Sequence, residues 1–233
     1  KVYKIFGPGN QYVTEAKQQI LRAGAAIDMP AGPSEVAVLA DRTSIPAFVA
    51  SDLLSQAEHG PDSQVLLVTT DENVISETLA EVTRQIETLP RREFAEAALA
   101  NSKAIVVKNI DVGVELLNEY APEHLIIATE NADAVAELIV NAGSVFIGNF
   151  SCESAGDYAS GTNHTLPTNG YARAFSGVSV ESFTKKITFQ KLTAAGIRNL
   201  GPMIKTLARA EGLNAHERAV SIRLEMVGGG DGI

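Results

Sequence analysis

Short β-branched runs alternate along the chain with stretches whose apolar residues recur every three or four positions. The first run, Val2–Phe6, reads as a strand. It passes through Gly7-Pro8-Gly9-Asn10 into a helical pattern that reaches about Arg22, with Gly24 as its stop. Ser34–Ala40 (SEVAVLA) predicts the next strand. A helix follows in which Ser44 can cap and Pro46 suits the first turn, and Gly60-Pro61 ends it. Its Ile45, Phe48, Val49 and Leu53 keep the three-to-four spacing. Then come a strand over Gln64–Thr70 and helices over about Asp71–Leu89 and Phe94–Leu99. Three further strands are predicted at Ala104–Val107, His124–Ala128 and Ser144–Gly148. Helices near Val112–Tyr120 and Asn131–Ala142, the latter closed by Gly143, lie between them.

Strands separated by helices imply right-handed crossovers and a mostly parallel sheet covered on both faces. The predicted fold is α/β: a doubly wound, incomplete Rossmann-like sheet followed by a small all-helical C-terminal tail. The pattern breaks over Asn149–Phe175, which is rich in Ser, Gly, Asn and Thr. Connectors that long are usually functional or disordered. Beyond it the period is helical over Phe189–Leu200, Met203–Ala210 and Ala215–Met226, and Gly228-Gly229-Gly230 reads as a frayed end. The tail from about Ser179 reads as a second small domain or a dimerisation arm.

Composition narrows the function classes. At 233 residues, 45 % hydrophobic and 20 % charged, the chain is neither disordered nor fibrous. Nineteen Lys and Arg against 28 Asp and Glu give a net charge of −9, without the basic footprint of a nucleic-acid binder. No apolar run approaches the ~18 residues of a membrane span. The single cysteine, Cys152, cannot form an internal disulfide, which makes a reducing, cytoplasmic setting the simplest expectation. The chain opens at Lys1, without Met, directly on an apolar stretch. Domains usually begin more loosely, so the expectation is a piece whose front part is missing.

The four histidines carry most of the candidate chemistry. Gln56 and His59 are three apart and share one face at a helix end, which taken alone is also how a solvated terminus looks. Glu123-His124 opens a strand at the sheet edge, where α/β proteins hold ligands, and both can exchange protons near neutrality after modest pKa shifts. The run Glu153–His164 gathers acids, hydroxyls, an amide and an imidazole on a glycine-hinged backbone, as a polar surface loop also does. Cys152 beside it reads as packing rather than a nucleophile, since no base adjoins it. His216 follows a candidate helix cap, Asn214, and reads by itself as a surface residue. Gly7-Pro8-Gly9-Asn10 resembles a phosphate-cradling turn without completing a dinucleotide fingerprint. Imidazoles with Asp and Gln oxygens form a mixed set suited to zinc, manganese, cobalt or iron, but the spacing does not assemble it.

Taken together, KIFGPGN, DMPAGPSE, SDLLSQAEHGPDSQ, APEHLII and ESAGDYASGTNH, followed by a downstream Glu and His, resemble the histidinol dehydrogenase family from Val2 to about Val220. Only the later part of the family pattern is covered. The resemblance implies one zinc ion per subunit, held by Gln56, His59, Asp157 and His216, the last reaching in from the other subunit of a homodimer. It implies Glu123 and His124 as the catalytic acid–base pair. Ser34, Gln56, His59, His124, Asp157, Glu211 and His216 match substrate contacts, with His164 as a further pocket position. Asn10 matches an NAD contact. The implied reaction takes L-histidinol to L-histidine through L-histidinal with two NAD⁺ and one water. In it His124 accepts the alcohol proton and Glu123, as carboxylate, activates the water. The matching organisation is 1–33 as a remnant of a nucleotide-binding domain, 34–178 as the catalytic domain with an active-site loop at 149–175, and 179–233 as a helical dimerisation domain. Two rivals stand beside this reading: a metal-dependent hydrolase with Glu123 as base, and a non-catalytic dimerising piece.

Overall fold

All six side chains of Glu35–Ala40 are buried, and a strand buried on both faces belongs inside a sheet covered by helices. The computed structural model, which describes residues 1–228, has that arrangement. In chain order the first elements are β1 (Lys4–Ile5), α1 (Gln11–Arg22), β2 (Ala26–Ile27), β3 (Glu35–Ala40), α2 (Pro46–Ala57), β4 (Gln64–Thr69), α3 (Glu72–Ile86), α4 (Arg92–Ala100) and β5 (Lys103–Val106). Then follow α5 (Ile110–Tyr120), β6 (His124–Ala128), α6 (Ala132–Ala136), β7 (Ser144–Ile147), α7 (Glu153–Tyr158), α8 (Ala194–Ala210) and α9 (Asn214–Gly228). Two compact units emerge, Lys1–Thr184 and Lys185–Ile233. Among the described residues no helix is long and apolar enough to cross a membrane.

The main sheet is wholly parallel in the order β5-β4-β3-β6-β7. Alternation along β3 divides its core. Val36, Val38 and Ala40 face Val49, Leu53 and Leu54 of α2, while Ala37 and Leu39 pack with Val114 and Leu117 of α5. The chain turns back between β3 and β6, making the centre of the sheet the switch point of the winding.

Residues 1–32 form their own small layer. β1 pairs in parallel with β2, a strand too short for the sequence to announce. Lys17 and Asp28 are both buried and form an ion pair. Lys17 Nζ also donates to the Gly7 carbonyl at 2.9 Å, and Asp28 accepts the Gly7 N–H at 2.8 Å. The pair therefore clamps the Gly7–Asn10 turn onto α1 and β2. Removing one member leaves the other charge buried and unpaired, which costs about 3–5 kcal/mol. Lys17→Met is expected to free residues 1–32 before the main sheet melts, seen as early amide exchange there by mass spectrometry. Uniform protection would refute this.

Several boundaries differ from the pattern. The expected helix over Asn131–Ala142 stops at Ala136, because Asn118 intervenes: its Oδ1 accepts the Val140 and Asn141 N–H groups and its Nδ2 donates to the Leu138 carbonyl. Ser44 does not cap α2. The N-cap is Ile45, whose own N–H reaches Asn149 Oδ1 at 3.3 Å, and Ser44 Oγ is buried without a partner. The long polar stretch contains a helix, α7. In the second unit Phe189–Thr193 is not helical, and α8 runs unbroken through Pro202. Contacts to α9 hold it on both sides of the proline, through Arg198 Nη1 to the Val227 carbonyl and the Arg209–Glu217 ion pair. Gly228 ends α9, and Gly229 and Gly230 lie outside the described residues.

Candidate active site

A cleft of about 390 Å³ opens at the amino edge of the central strands. Ligands of open parallel sheets usually sit outside the carboxyl ends, so the sequence expectation placed Glu123-His124 at a ligand-bearing edge for the wrong reason. At the carboxyl end of β3, Asp41 is half-buried and ties the following turns together. Its Oδ1 accepts from Thr43 N and Oγ1, and its Oδ2 from Glu130 N.

Two helices deliver the ligand-type side chains. α2 runs antiparallel to β3, which brings its last turn to the amino edge and carries Gln56 and, just beyond, His59 into the cleft. α7 presents Glu153 and Asp157 four residues apart, hence on one face. Between them Gly156 permits close packing, since a Cβ there would stand 2.6 Å from the Phe146 ring. One ligand atom each from His59, Glu153 and Asp157 all lie within 4.8 Å of one another. Gln56 is fully buried. With its amide NH₂ toward Glu153, Nε2 donates to both carboxylate oxygens at 2.7 and 2.9 Å, whereas the reverse orientation sets oxygen against oxygen. One nitrogen with carboxylate and amide oxygens suits zinc or a neighbouring divalent first-row ion.

The backbone of Glu35 holds both Glu123 and His124. Its N–H donates to Glu123 Oε2 at 2.9 Å and its carbonyl lies 3.1 Å from His124 Nδ1. A carbonyl can only accept, so Nδ1 carries the ring proton. Burial pushes the His124 pKa down, which keeps the ring neutral and leaves the lone pair on Nε2. Nε2 is buried without a hydrogen-bond partner and stands 4.0 Å from Asp157 Oδ1. Glu123 is pushed up to about 9, first by burial and then by repulsion from Glu35, Glu153 and Asp157. In the metal-free chain, burial therefore favours the neutral acid at Glu123. A cation nearby reverses that preference.

The cleft brings together Asn10, Ser34, Gln56, His59, Glu123, His124, Asp157 and His164. Asn10 is also the N-cap of α1, its Oδ1 accepting from Tyr12 N and Val13 N. Glu211 and His216 belong to the second unit, at the C-cap of α8 and in the first turn of α9, and both are exposed. Sequence reasoning passed over three buried acids. Glu153 is pushed up to about 8 by burial and the nearby Asp157 and Asp52, while burial raises Glu35 and Asp52 to about 7. Spacing held a signal for two of them: Asp52 is four residues before Gln56, and Glu153 four before Asp157.

Comparison with known proteins identifies a family. A sequence profile described as histidinol dehydrogenase matches residues 1–224. The chain is 62 % identical over 224 residues to a histidinol dehydrogenase of Bacteroides thetaiotaomicron, covering 96 % of this chain and 52 % of that one. It is 56 % identical over 227 residues to one of Vibrio parahaemolyticus, covering 97 % and 53 %. A crystal structure of histidinol dehydrogenase from Elizabethkingia anophelis superposes with a TM-score of 0.95 at 62 % identity, over 98 % of this chain and 53 % of that one. The chain thus spans about half the length of the relatives it matches. It belongs to the histidinol dehydrogenase family, a family of oxidoreductases.

Proposed function

We propose that this chain carries the catalytic half of an enzyme that oxidises L-histidinol to L-histidine, with NAD as hydride acceptor. In this reading a zinc ion is held by Gln56, His59 and Asp157 with His216 of the partner subunit in a homodimer. Ser34, His164 and the partner subunit's Glu211 contact the substrate, and Asn10 lies against NAD. When bound, zinc would supply orientation of the substrate, and two NAD⁺ in succession would each accept one hydride. The residues of the chain do the rest. His124 Nε2 takes the alcohol proton, its ring fixed by the Nδ1–H bond to the Glu35 carbonyl. Glu123, once ionised, removes a proton from water at the aldehyde stage, and His124 returns its proton to the aldehyde oxygen as the hydrate forms. His124 then accepts the next proton as the second hydride leaves.

The observation that carries this reading is a buried, unpartnered ring nitrogen facing a cleft shared with His59, Glu153 and Asp157. A satisfied core histidine would have a partner at both nitrogens. The test is NADH absorbance with L-histidinol, using the protein at the full length of its relatives. Two NADH per substrate, abolished by chelation and restored by zinc, are expected. Substrate loss without NADH would favour a hydrolase. Mixing His124→Asn with His216→Asn chains should restore roughly a quarter of wild-type activity, because half the dimers are hybrids with one intact site of two. No recovery would remove the shared site.

A further inference from the structure

Gln56 offers either an oxygen or an NH₂ group, and only the oxygen can bind a cation. Its neighbour is Glu153, whose two oxygens lie 2.7 and 2.9 Å from the amide nitrogen once that nitrogen faces them. Gln56 is fully buried and Glu153 is 2 % exposed, so water cannot substitute for this contact. Once ionised, as a nearby cation favours, Glu153 has no proton to give, and a second acceptor facing it is unfavourable. The ionised pair therefore admits one amide orientation, with Nε2 toward Glu153 and Oε1 turned away from it.

We infer that Glu153 is a positioning residue that locks the Gln56 amide so that its oxygen, not its nitrogen, is available to the metal. The inference rests on Gln56 being a ligand, as proposed above. It differs from the other use of Glu153 that its place near His59 and Asp157 allows, direct coordination of the ion. The two roles order conservative variants oppositely. Glu153→Gln keeps the reach and an acceptor oxygen for Gln56 Nε2. Glu153→Asp keeps the charge, but its carboxylate falls one methylene short of the amide.

The measurement is zinc affinity of the full-length protein by competition with a chromophoric chelator, with the visible spectrum of the Co²⁺ form as a second readout. Positioning predicts that Glu153→Gln binds zinc close to wild type, while Glu153→Asp loses about 10–100-fold, as loss of an orienting partner typically does. It also predicts no further loss when Glu153→Asp is combined with Gln56→Met, since the group it positions is already gone. A Glu153→Gln loss exceeding that of Glu153→Asp, or independent losses in the double variant, would overturn the inference in favour of direct ligation. Wild-type protein that binds no zinc would overturn the metal reading itself, and this inference with it.

Discussion

His124→Asn is expected to lower turnover by about 10²–10⁴-fold while zinc content stays close to wild type. Asparagine can still donate from its amide to the Glu35 carbonyl that holds His124 Nδ1, so the segment has a means to stay in place. What disappears is the Nε2 lone pair, to which the proposed mechanism assigns the proton. Steady-state kinetics with metal analysis decides the matter: equal losses of zinc and activity would make His124 a ligand instead. The wild-type pH profile carries the same signature. Because burial lowers the His124 pKa, the ring remains a base at pH values below its ordinary 6.5. The acid limb of turnover should therefore lie below that of free imidazole, and a limb above 6.5 would contradict the assignment.

The second large effect concerns the acids. Glu123 is pushed up to about 9, Glu153 to about 8, and Glu35 and Asp52 to about 7, each mainly by burial. These groups hold their protons more tightly folded than unfolded. The stability they lend is complete below the ordinary carboxyl value and is lost as pH climbs toward the folded values. Metal-free protein should accordingly melt at least about 5 °C lower at pH ~9 than at pH ~5, at roughly 1.4 kcal/mol per pKa unit and 2–4 °C per kcal/mol. A cation favours the ionised forms, so zinc added at pH ~8 should raise the midpoint and release protons, measurable by calorimetry in buffers of different ionisation enthalpy. A midpoint that rises with pH in the metal-free protein would show that these acids ionise without cost.

How much of this was legible depended on whether the deciding contact is local. His124–Ala128 was read to the residue, since a strand buried on both faces appears as an unbroken apolar run between turn residues. Gln56 and His59 were visible from helical spacing. The end of α6 was not, because Asn118, distant in sequence, captures the groups that would have continued it. α7 was hidden because a six-residue helix of Glu, Ser, Ala, Gly, Asp and Tyr shows no apolar period. With it went Glu153, whose relation to Asp157 exists only if the segment is helical. The edge of the sheet that bears the site was likewise unreadable, since periodicity locates strands but not which end stays open.

Placing the cleft at the strands' starts has an electrostatic consequence. In a parallel α/β sheet each crossover helix runs opposite to its strands, so the C-termini of α2 and α5 lie at this edge, alongside the N-terminus of α1 at Asn10. Carbonyl dipoles of the last turns of α2 and α5 therefore turn their partial negative charge toward Gln56, His59 and Glu123. The opposite rim is the usual berth for phosphates, and here the Asp41 carboxylate stands at the end of β3 on that side. The rim that remains attracts positive charge, as a divalent ion and an amine-bearing substrate would require.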